Sequence, residues 1–192
     1  MQPTDANSHD AKYSQGTIVF IGLGSSLGNR RRYLQRAIAK IAHHSDIVLL
    51  DQSSVWSSVP IGSAKHIFLN MVIRIRSQLS PEELLRFLQS IETQCGRKRG
   101  VHWMDRVVDL DILFYGDLCV QNQFLTIPHP RILERNFVLL PLKEIQHKIS
   151  VSQIPVSSVL QEDTTRGPWA FLKENAISTT GIWKSVRDHK QP

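Results

Sequence analysis

The chain has 192 residues, of which 41% are hydrophobic and 21% charged, a composition typical of a globular protein with one core. No apolar run approaches the roughly 20 residues that a bilayer-spanning helix needs, and the polar residues 1–15 lack the apolar segment of a secretory signal. A formal net charge of +6 favours an anionic partner, whether nucleic acid, nucleotide or acidic surface.

The first predicted elements are a strand, a glycine-rich turn and a helix. Residues 17–23 are an apolar strand, residues 22–29 form a turn with three glycines, and apolar residues recur at helical spacing over 33–42. The glycines are spaced Gly-x-Gly-x-x-x-Gly, which is not the dinucleotide fingerprint, and no Gly-Lys-Ser/Thr follows to form a P-loop. If ATP binds, arginine, histidine and metal must therefore hold its phosphates.

Two strands and a second helix follow. Residues 47–57 are the second predicted strand, and residues 68–77 are the third, with one wetter face. The helix begins at Ser80, where Ser80 and Glu83 form a capping box around a proline at the first helical position. The next stretch, residues 97–104, is a basic loop with one tryptophan, which predicts a mobile lid.

The fourth predicted strand, residues 106–115, carries two aspartates. Because side chains alternate along a strand, Asp109 and Asp111 share one face and repel each other, whereas Phe114 belongs to the opposite face. A Mg²⁺ ion relieves this repulsion, since it binds carboxylates together with substrate phosphates. For an isolated Asp-x-Asp, a solvated polar face is the favoured alternative unless other motifs accompany the pair.

The C-terminal third contains weaker signals. Residues 118–126 predict a small hairpin, residues 126–131 a proline-bounded turn leading into a short helix, and residues 136–145 an apolar helix broken by Pro141. The two cysteines, at positions 95 and 119, have no metal-ligand spacing and indicate free thiols in a reducing cytoplasm.

The order of elements predicts the fold class. Strand, helix, strand, strand, helix, strand is the α+β, ferredoxin-like β-α-β-β-α-β arrangement. It implies a four-stranded, mainly antiparallel sheet with two helices on one face and a site on the other. We expect a disordered tail at 1–15, one domain at 16–160, and an extension of undetermined role at 161–192.

Residues 17 to about 160 resemble the 6-hydroxymethyl-dihydropterin pyrophosphokinase family of the folate pathway. Members move the β,γ-diphosphate of ATP onto the hydroxymethyl group of the pterin and release AMP. Several motifs in the same order are far more specific than any single one. The matching stretches are Leu23-Gly24-Ser25, Phe68-Leu69-Asn70, Gln89-Ser90-Ile91-Glu92, Gly96-Arg97, Trp103, residues 106–112, Pro128-His129-Pro130-Arg131 and residues 135–139.

The resemblance implies roles for the matching residues. Asp109 and Asp111 would hold two Mg²⁺ ions across the triphosphate of the co-substrate ATP. The residues expected to assist transfer are Arg97, Arg99, Arg106, Asp111, His129 and Arg135. Those expected to bind ATP are Gln89, Glu92, Trp103, Ile112, Thr126 and Arg131. Those expected to bind the pterin are Ser58, Val59, Ile61, Phe68, Asn70 and Phe137.

These residue types suit that chemistry. The planar fork of arginine binds phosphate bidentately, and aromatic rings sandwich a flat heterocycle. The general base stays open, because Asp111 is a candidate but metal coordination of the hydroxyl also suffices. The chain departs from the family pattern at Ser26, where Asn is usual, at Trp56, where Tyr is commoner, and at residues 63–66, which lack a usual Gln.

Two other functions compete with this one. A non-catalytic pterin or nucleotide binder would be expected to lose its ligands first, yet Asp109, Asp111, Arg106 and His129 are all present. An RNA-binding ferredoxin-like module would carry a characteristic aromatic strand pattern that is missing from this sequence. The expected partners are therefore the two small-molecule substrates, without nucleic acid or membrane, and we expect a cytoplasmic monomer.

Overall fold

The computed structural model describes residues 16–60, 64–96, 105–132, 134–146 and 182–184. Within these ranges the strands are β1 Thr17–Ser25, β2 Ile47–Gln52, β3 Trp56–Ser58, β4 Phe68–Ser77, β5 Asp109–Tyr115, β6 Val120–Gln121, β7 Thr126–Ile127 and β8 Ile182–Lys184. The helices are α1 Arg30–Ala42, α2 Pro81–Gln94 and α3 Asn136–Gln146. No described helix is long and apolar enough to cross a membrane.

One antiparallel sheet organises these elements. β1 lies between β5 and β4, and both β2 and β3 pair with the other edge of β4. β6 and β7 form the small hairpin expected from the sequence. This strand order confirms the ferredoxin-like arrangement, because the two crossover helices place the first and third predicted strands side by side in the centre.

The predicted second strand is two strands, and the sheet is larger than predicted. Residues 53–55 separate β2 from β3, and Ser53 pairs there with Val72, donating its N–H to the Val72 carbonyl at 2.9 Å. β8, from the C-terminal extension, adds a further strand to the exposed edge of β3. The extension therefore belongs in part to the sheet, whereas the predicted tail at 1–15 lies outside the described residues.

Helices α1 and α2 cover one face of the sheet, as predicted. Their buried side chains, such as Leu34 and Leu88, join those of β1 and β4 in the larger hydrophobic core. The predicted capping box is confirmed, since Ser80 accepts the backbone N–H of Glu83 while the Glu83 carboxylate accepts the N–H of Ser80. This reciprocal pair satisfies two donors that the first turn of α2 leaves without helical partners.

A bulge in β5 overturns the predicted orientation of Phe114. Phe20 of β1 pairs with Phe114 while the adjacent Ile21 pairs with Ile112, so Leu113 is an extra residue in β5. Leu113 and Phe114 consequently both lie in the second hydrophobic core, on the face away from α1 and α2. Simple alternation fails here because a bulge shifts the side-chain phase of the strand.

The third helix lies on the face that was predicted to carry only the site. α3 buries Val138, Leu139, Leu142 and Ile145 against the second core. Pro141 lies inside α3 and does not end it, contrary to the sequence prediction. Burial of this apolar stripe offsets the helical hydrogen bond that proline cannot make.

The capping box makes a quantitative prediction about stability. Ser80→Ala should lower the free energy of unfolding by about 1 kcal/mol, because the N–H of Glu83 loses its acceptor. Ser80→Asn keeps a capping oxygen and should stay near wild type. Urea unfolding followed by circular dichroism measures both, and identical midpoints for Ser80→Ala and wild type would contradict the prediction.

Candidate active site

An open pocket lies on the sheet face away from α1 and α2. Its wall is formed by β1, β3, β4, β5 and the beginning of α3. The residues that line it are Gly22, Leu23, Gly24, Ser58, Val59, Ala64, Phe68, Asn70, Met71, Arg106, Asp109, Asp111, Leu113, Arg135, Phe137 and Val138. Nine of the predicted site residues are among them, which brings together parts of the sequence that lie up to about eighty positions apart.

Two strand glycines form part of the pocket floor. The sequence placed them in a turn, but β1 continues to Ser25 and includes both. Gly22 stands opposite Asp111, and Gly24 stands opposite Asp109. A Cβ at Gly24 would lie 3.4 Å from Asn70 Oδ1 and 4.0 Å from Asp109 Cβ. The missing side chains thus leave space next to the two carboxylates.

The two aspartates share one face, as predicted, and each has a cationic neighbour. Asp109 Oδ2 accepts a hydrogen bond from Arg106 Nη1 at 2.5 Å. Asp111 Oδ2 lies 3.6 Å from Arg135 Nη1, on the segment that leads into α3. Because Asp109 is 22% exposed and Asp111 is 38% exposed, neither charge is fully solvated and both gain from these arginines.

His129 reaches the same carboxylate from a turn. Its Nε2 lies 4.0 Å from Asp111 Oδ2, while its Nδ1 accepts the backbone N–H of Arg131 at 3.2 Å. Burial, reinforced by Arg135 and Arg131, lowers the pKa of His129 to about 4, although Asp109 acts in the opposite direction. At neutral pH the ring is therefore uncharged with its proton on Nε2, the nitrogen nearer to Asp111, although His129 itself does not line the pocket.

The predicted pterin residues lie on the other side of the pocket. Phe68 of β4 and Phe137 of α3 both line it, and Arg135 stacks over the Phe137 ring at 5.8 Å from the ring centre. Asn70 is buried, and its Nδ2 donates to Ser58 Oγ at 2.9 Å. This bond fixes the amide so that its oxygen stays on the pocket side, next to Gly24.

Several predicted ATP residues do not line this pocket. Ile112 is buried in the larger core, and Glu92 is 5% exposed with its Oε1 accepting the N–H of Leu110 at 2.8 Å. Gln89, Thr126 and Arg131 also lie outside the pocket wall. Their contacts with ATP stay predictions, but the structure gives Glu92 a second task, holding β5 to α2.

Four predicted site residues lie outside the described part of the chain. They are Ile61, Arg97, Arg99 and Trp103. The lid predicted for residues 97–104 falls in the same region, so that expectation stays a prediction.

Sequence reasoning missed the residues that anchor the start of the Asp109 strand. Ser26 Oγ accepts the N–H of Arg106 at 2.8 Å, and the Arg106 carbonyl accepts the N–H of Ser26 at 2.8 Å. Ser25 Oγ donates to the Val107 carbonyl at 2.6 Å. Ser26, where the chain departs from the family pattern, therefore holds the backbone of Arg106, and the signal was the pair of serines following Gly24.

Comparisons with known proteins match most of the chain to one family. A family model described as 7,8-dihydro-6-hydroxymethylpterin-pyrophosphokinase (HPPK) matches residues 20–147. A 2-amino-4-hydroxy-6-hydroxymethyldihydropteridine pyrophosphokinase of Bacillus subtilis (strain 168) is 41% identical over 133 residues, covering 69% of this chain and 80% of the relative. The protein of the same name in Aquifex aeolicus (strain VF5) is 32% identical over 160 residues, covering 81% of this chain and 98% of the relative.

Longer proteins match over part of their length. The "Bifunctional protein FolKE" of Lactococcus lactis subsp. lactis (strain IL1403) is 33% identical over 162 residues, which cover 77% of this chain and 46% of the relative. A crystal structure of wild-type Plasmodium falciparum HPPK-DHPS with pterin and p-hydroxybenzoate has a TM-score of 0.59 at 12% identity, covering 88% of this chain and 46% of that one. This structural likeness supports the fold.

The buried carboxylate of Glu92 predicts a loss of stability when it is removed. Glu92→Ala should lower the free energy of unfolding by about 1–3 kcal/mol, because the N–H of Leu110 is left without that acceptor. Glu92→Gln keeps an oxygen at the same place and should lose less. The exposed Glu82 of the same helix is the control, and Glu82→Ala should change stability by only about 0.5 kcal/mol or less. Equal unfolding midpoints for Glu92→Ala and Glu82→Ala would show that the contact does not hold the strand.

Proposed function

Because the chain belongs to the 7,8-dihydro-6-hydroxymethylpterin-pyrophosphokinase family, we propose that it transfers diphosphate from ATP to the hydroxymethyl group of 6-hydroxymethyl-7,8-dihydropterin. AMP is the second product, and the reaction belongs to folate biosynthesis. The observation that carries this proposal is the pocket in which the Asp109 and Asp111 pair lies beside two arginines on one side and two phenylalanines on the other.

The arginines and the histidine form the phosphate side of the site. Arg106 Nη1 and Arg135 Nη1 each lie near one carboxylate oxygen, and a phosphate group would offer a guanidinium two oxygens to bind together. The neutral His129 adds an N–H donor without adding charge. Diphosphate transfer depends mainly on positioning and charge neutralisation, which these side chains provide.

Mg²⁺ fits the carboxylate pair. The described residues contain no group of three or more acidic, histidine or cysteine side chains that would enclose a metal. Mg²⁺ does not require one, since it is usually bound by one or two carboxylates plus waters and substrate phosphates. Asp109 and Asp111 would hold two ions, which when bound would neutralise the triphosphate and orient it.

The aromatic side of the pocket suits the pterin. Phe68 and Phe137 offer ring faces to a flat heterocycle, and the fixed oxygen of Asn70 can accept hydrogen bonds from its polar edge. Val59 and Ser58 close this side next to β3. The pterin would then lie between the strand glycines and the segment that carries Arg135.

We also propose a monomer that works in the cytoplasm. Cys95 and Cys119 are not joined in a disulfide, as expected in a reducing compartment. Size-exclusion chromatography with light scattering tests the monomer directly.

The reaction itself is tested by its products. With ATP, Mg²⁺ and the hydroxymethyl pterin, chromatographic separation of the adenine nucleotides should show AMP and not ADP, and no AMP should form without the pterin. ADP as the product, or no turnover with tight pterin binding, would refute the proposal. The second result would instead favour a non-catalytic binder.

The carboxylate pair predicts the effect of its removal. Asp109→Asn or Asp111→Asn should each lower kcat at least about a hundredfold, because half of the negative charge that would hold the Mg²⁺ ions is lost. Asp117→Asn, in the exposed turn after β5, makes the same chemical change away from the pocket and should keep wild-type kcat. Turnover of either site variant near wild type would rule out its role.

Contact between Arg135 and Phe137 predicts coupling between the two substrates. Fixing Arg135 on a phosphate should fix the Phe137 ring beneath it and lower the ordering cost of the pterin slot. Calorimetry should therefore show tighter pterin binding with a Mg²⁺-bound α,β-methylene ATP analogue than without it. Linkage requires the analogue to gain the same factor from the pterin.

Variants of three arginines test this coupling. Arg135→Ala should reduce it, whereas Arg86→Ala, on the exposed side of α2, should leave it unchanged. Arg99→Ala should reduce the coupling less than Arg135→Ala does. Equal pterin affinities with and without the analogue would refute the coupling while leaving the catalytic proposal in place.

A further inference from the structure

We propose that Asp105 is a positioning residue for the pterin side of the site, because it fastens the end of the β3–β4 loop to the segment that precedes β5. This inference rests on the proposed function, since it assigns Asp105 to the same pocket. Asp105 lies just before Arg106 and does not itself line the pocket.

Three hydrogen bonds join the Asp105 carboxylate to the loop. Oδ2 accepts the backbone N–H of Lys65 at 3.1 Å and lies 2.7 Å from His66 Nδ1, and Oδ1 accepts the backbone N–H of His66 at 3.1 Å. Burial alone would raise the pKa of Asp105, but these bonds and one from Ser26 lower it to about 2. The carboxylate is thus ionised at neutral pH and can only accept, which puts a proton on His66 Nδ1.

The backbone beside Asp105 is held to β1. Arg106 exchanges hydrogen bonds with Ser26 in both directions, at 2.8 Å each, and the Leu27 N–H also reaches the Arg106 carbonyl at 3.1 Å. The backbone next to Asp105 is therefore fixed, and the hydrogen bonds of its carboxylate hold the loop at Lys65 and His66 relative to that backbone. Arg30 of α1 adds a second tether by donating to the Ile67 carbonyl at 2.7 Å.

The tethered residues lead directly into the pocket wall. Ala64, which comes just before Lys65 and His66, lines the pocket. Phe68, which follows two residues after His66 at the start of β4, lines it as well. Asp105 stands four residues before Asp109, so a single side chain connects the strand that carries the carboxylates to the loop that leads to Phe68. The distance between the pterin slot and the phosphate side depends on this connection, and a change of about 1 Å there is costly to transfer.

The connection predicts a selective loss of pterin affinity. Asp105→Ala should weaken the binding of 6-hydroxymethyl-7,8-dihydropterin, measured by calorimetry, about tenfold, the equivalent of losing about 1.4 kcal/mol. Affinity for the α,β-methylene ATP analogue should change by less than about twofold, because Arg106 keeps its bonds to Ser26. Hydrogen exchange at the amides of Lys65 and His66 should accelerate in the folded variant.

Graded variants separate positioning from general destabilisation. Asp105→Asn keeps an accepting oxygen and should lose less pterin affinity than Asp105→Ala, and His66→Ala, which removes one of the three contacts, should lose about threefold. Asp117→Ala is the matched control and should behave as wild type. The two milder variants preserve the test if Asp105→Ala does not fold.

Two results would overturn the positioning role. One is pterin affinity in Asp105→Asn and His66→Ala equal to that of Asp117→Ala. The other is an equal loss of pterin and nucleotide affinity, which indicates a role in stability alone. Wild-type chain that binds pterin but releases no AMP would instead refute the proposed reaction, and the affinities of the variants would still decide the role of Asp105.

Discussion

The arrangement of the site depends on one electrostatic constraint, two carboxylates of like charge on one face of β5. Asp109 and Asp111 lie opposite glycines of β1, so the strand next to them supplies space but no counter-charge. The compensating positive charges come from Arg106, just before β5, and from Arg135, in the segment that leads into α3. A polyanion that arrives with divalent cations satisfies both sets together, because the carboxylates receive metal while the arginines receive phosphate. Under the proposed function, the side chains that balance one another's charge in this pocket would also bind the nucleotide and its metal ions.

The two faces of the sheet have different roles, since one packs against the helices of the larger core and the other carries the pocket. α1, α2 and the larger core occupy one face, and Glu92 joins that side to β5 through the Leu110 amide. On the other face, α3 covers the residues of the second hydrophobic core, and the sheet stays open where the aspartates lie. Because alternate residues of β5 face opposite sides, the strand that packs tightly through Leu110 and Ile112 can present Asp109 and Asp111 to substrate. A rigid strand anchored on one side is suited to hold charged groups in place on the other.

The wall of the pocket is held together by contacts between segments that are distant in the chain. Ser26 binds Arg106, Asp105 binds Lys65 and His66, and Arg30 binds the loop at Ile67. Each of these bonds involves a segment that comes directly before or after a strand or at the start of α1. Under the proposed function, they would connect the phosphate side of the site to the pterin side without occupying the pocket.

The sequence alone determined the element order, the capping box at Ser80, the shared face of the two aspartates and the resemblance to a pterin pyrophosphokinase. These features depend on spacings of two to four residues or on motifs quoted in order, and local geometry is sufficient to fix them. Tertiary structure alone decided the face of Phe114, the continuation of α3 through Pro141, the pairing of β8 and the glycines opposite the carboxylates. It also decided the bond between Asp105 and His66, which lie 39 positions apart. In each case the deciding energy comes from partners far away in the chain, through a bulge, a packed core or a loop-to-loop hydrogen bond, and no local pattern encodes it.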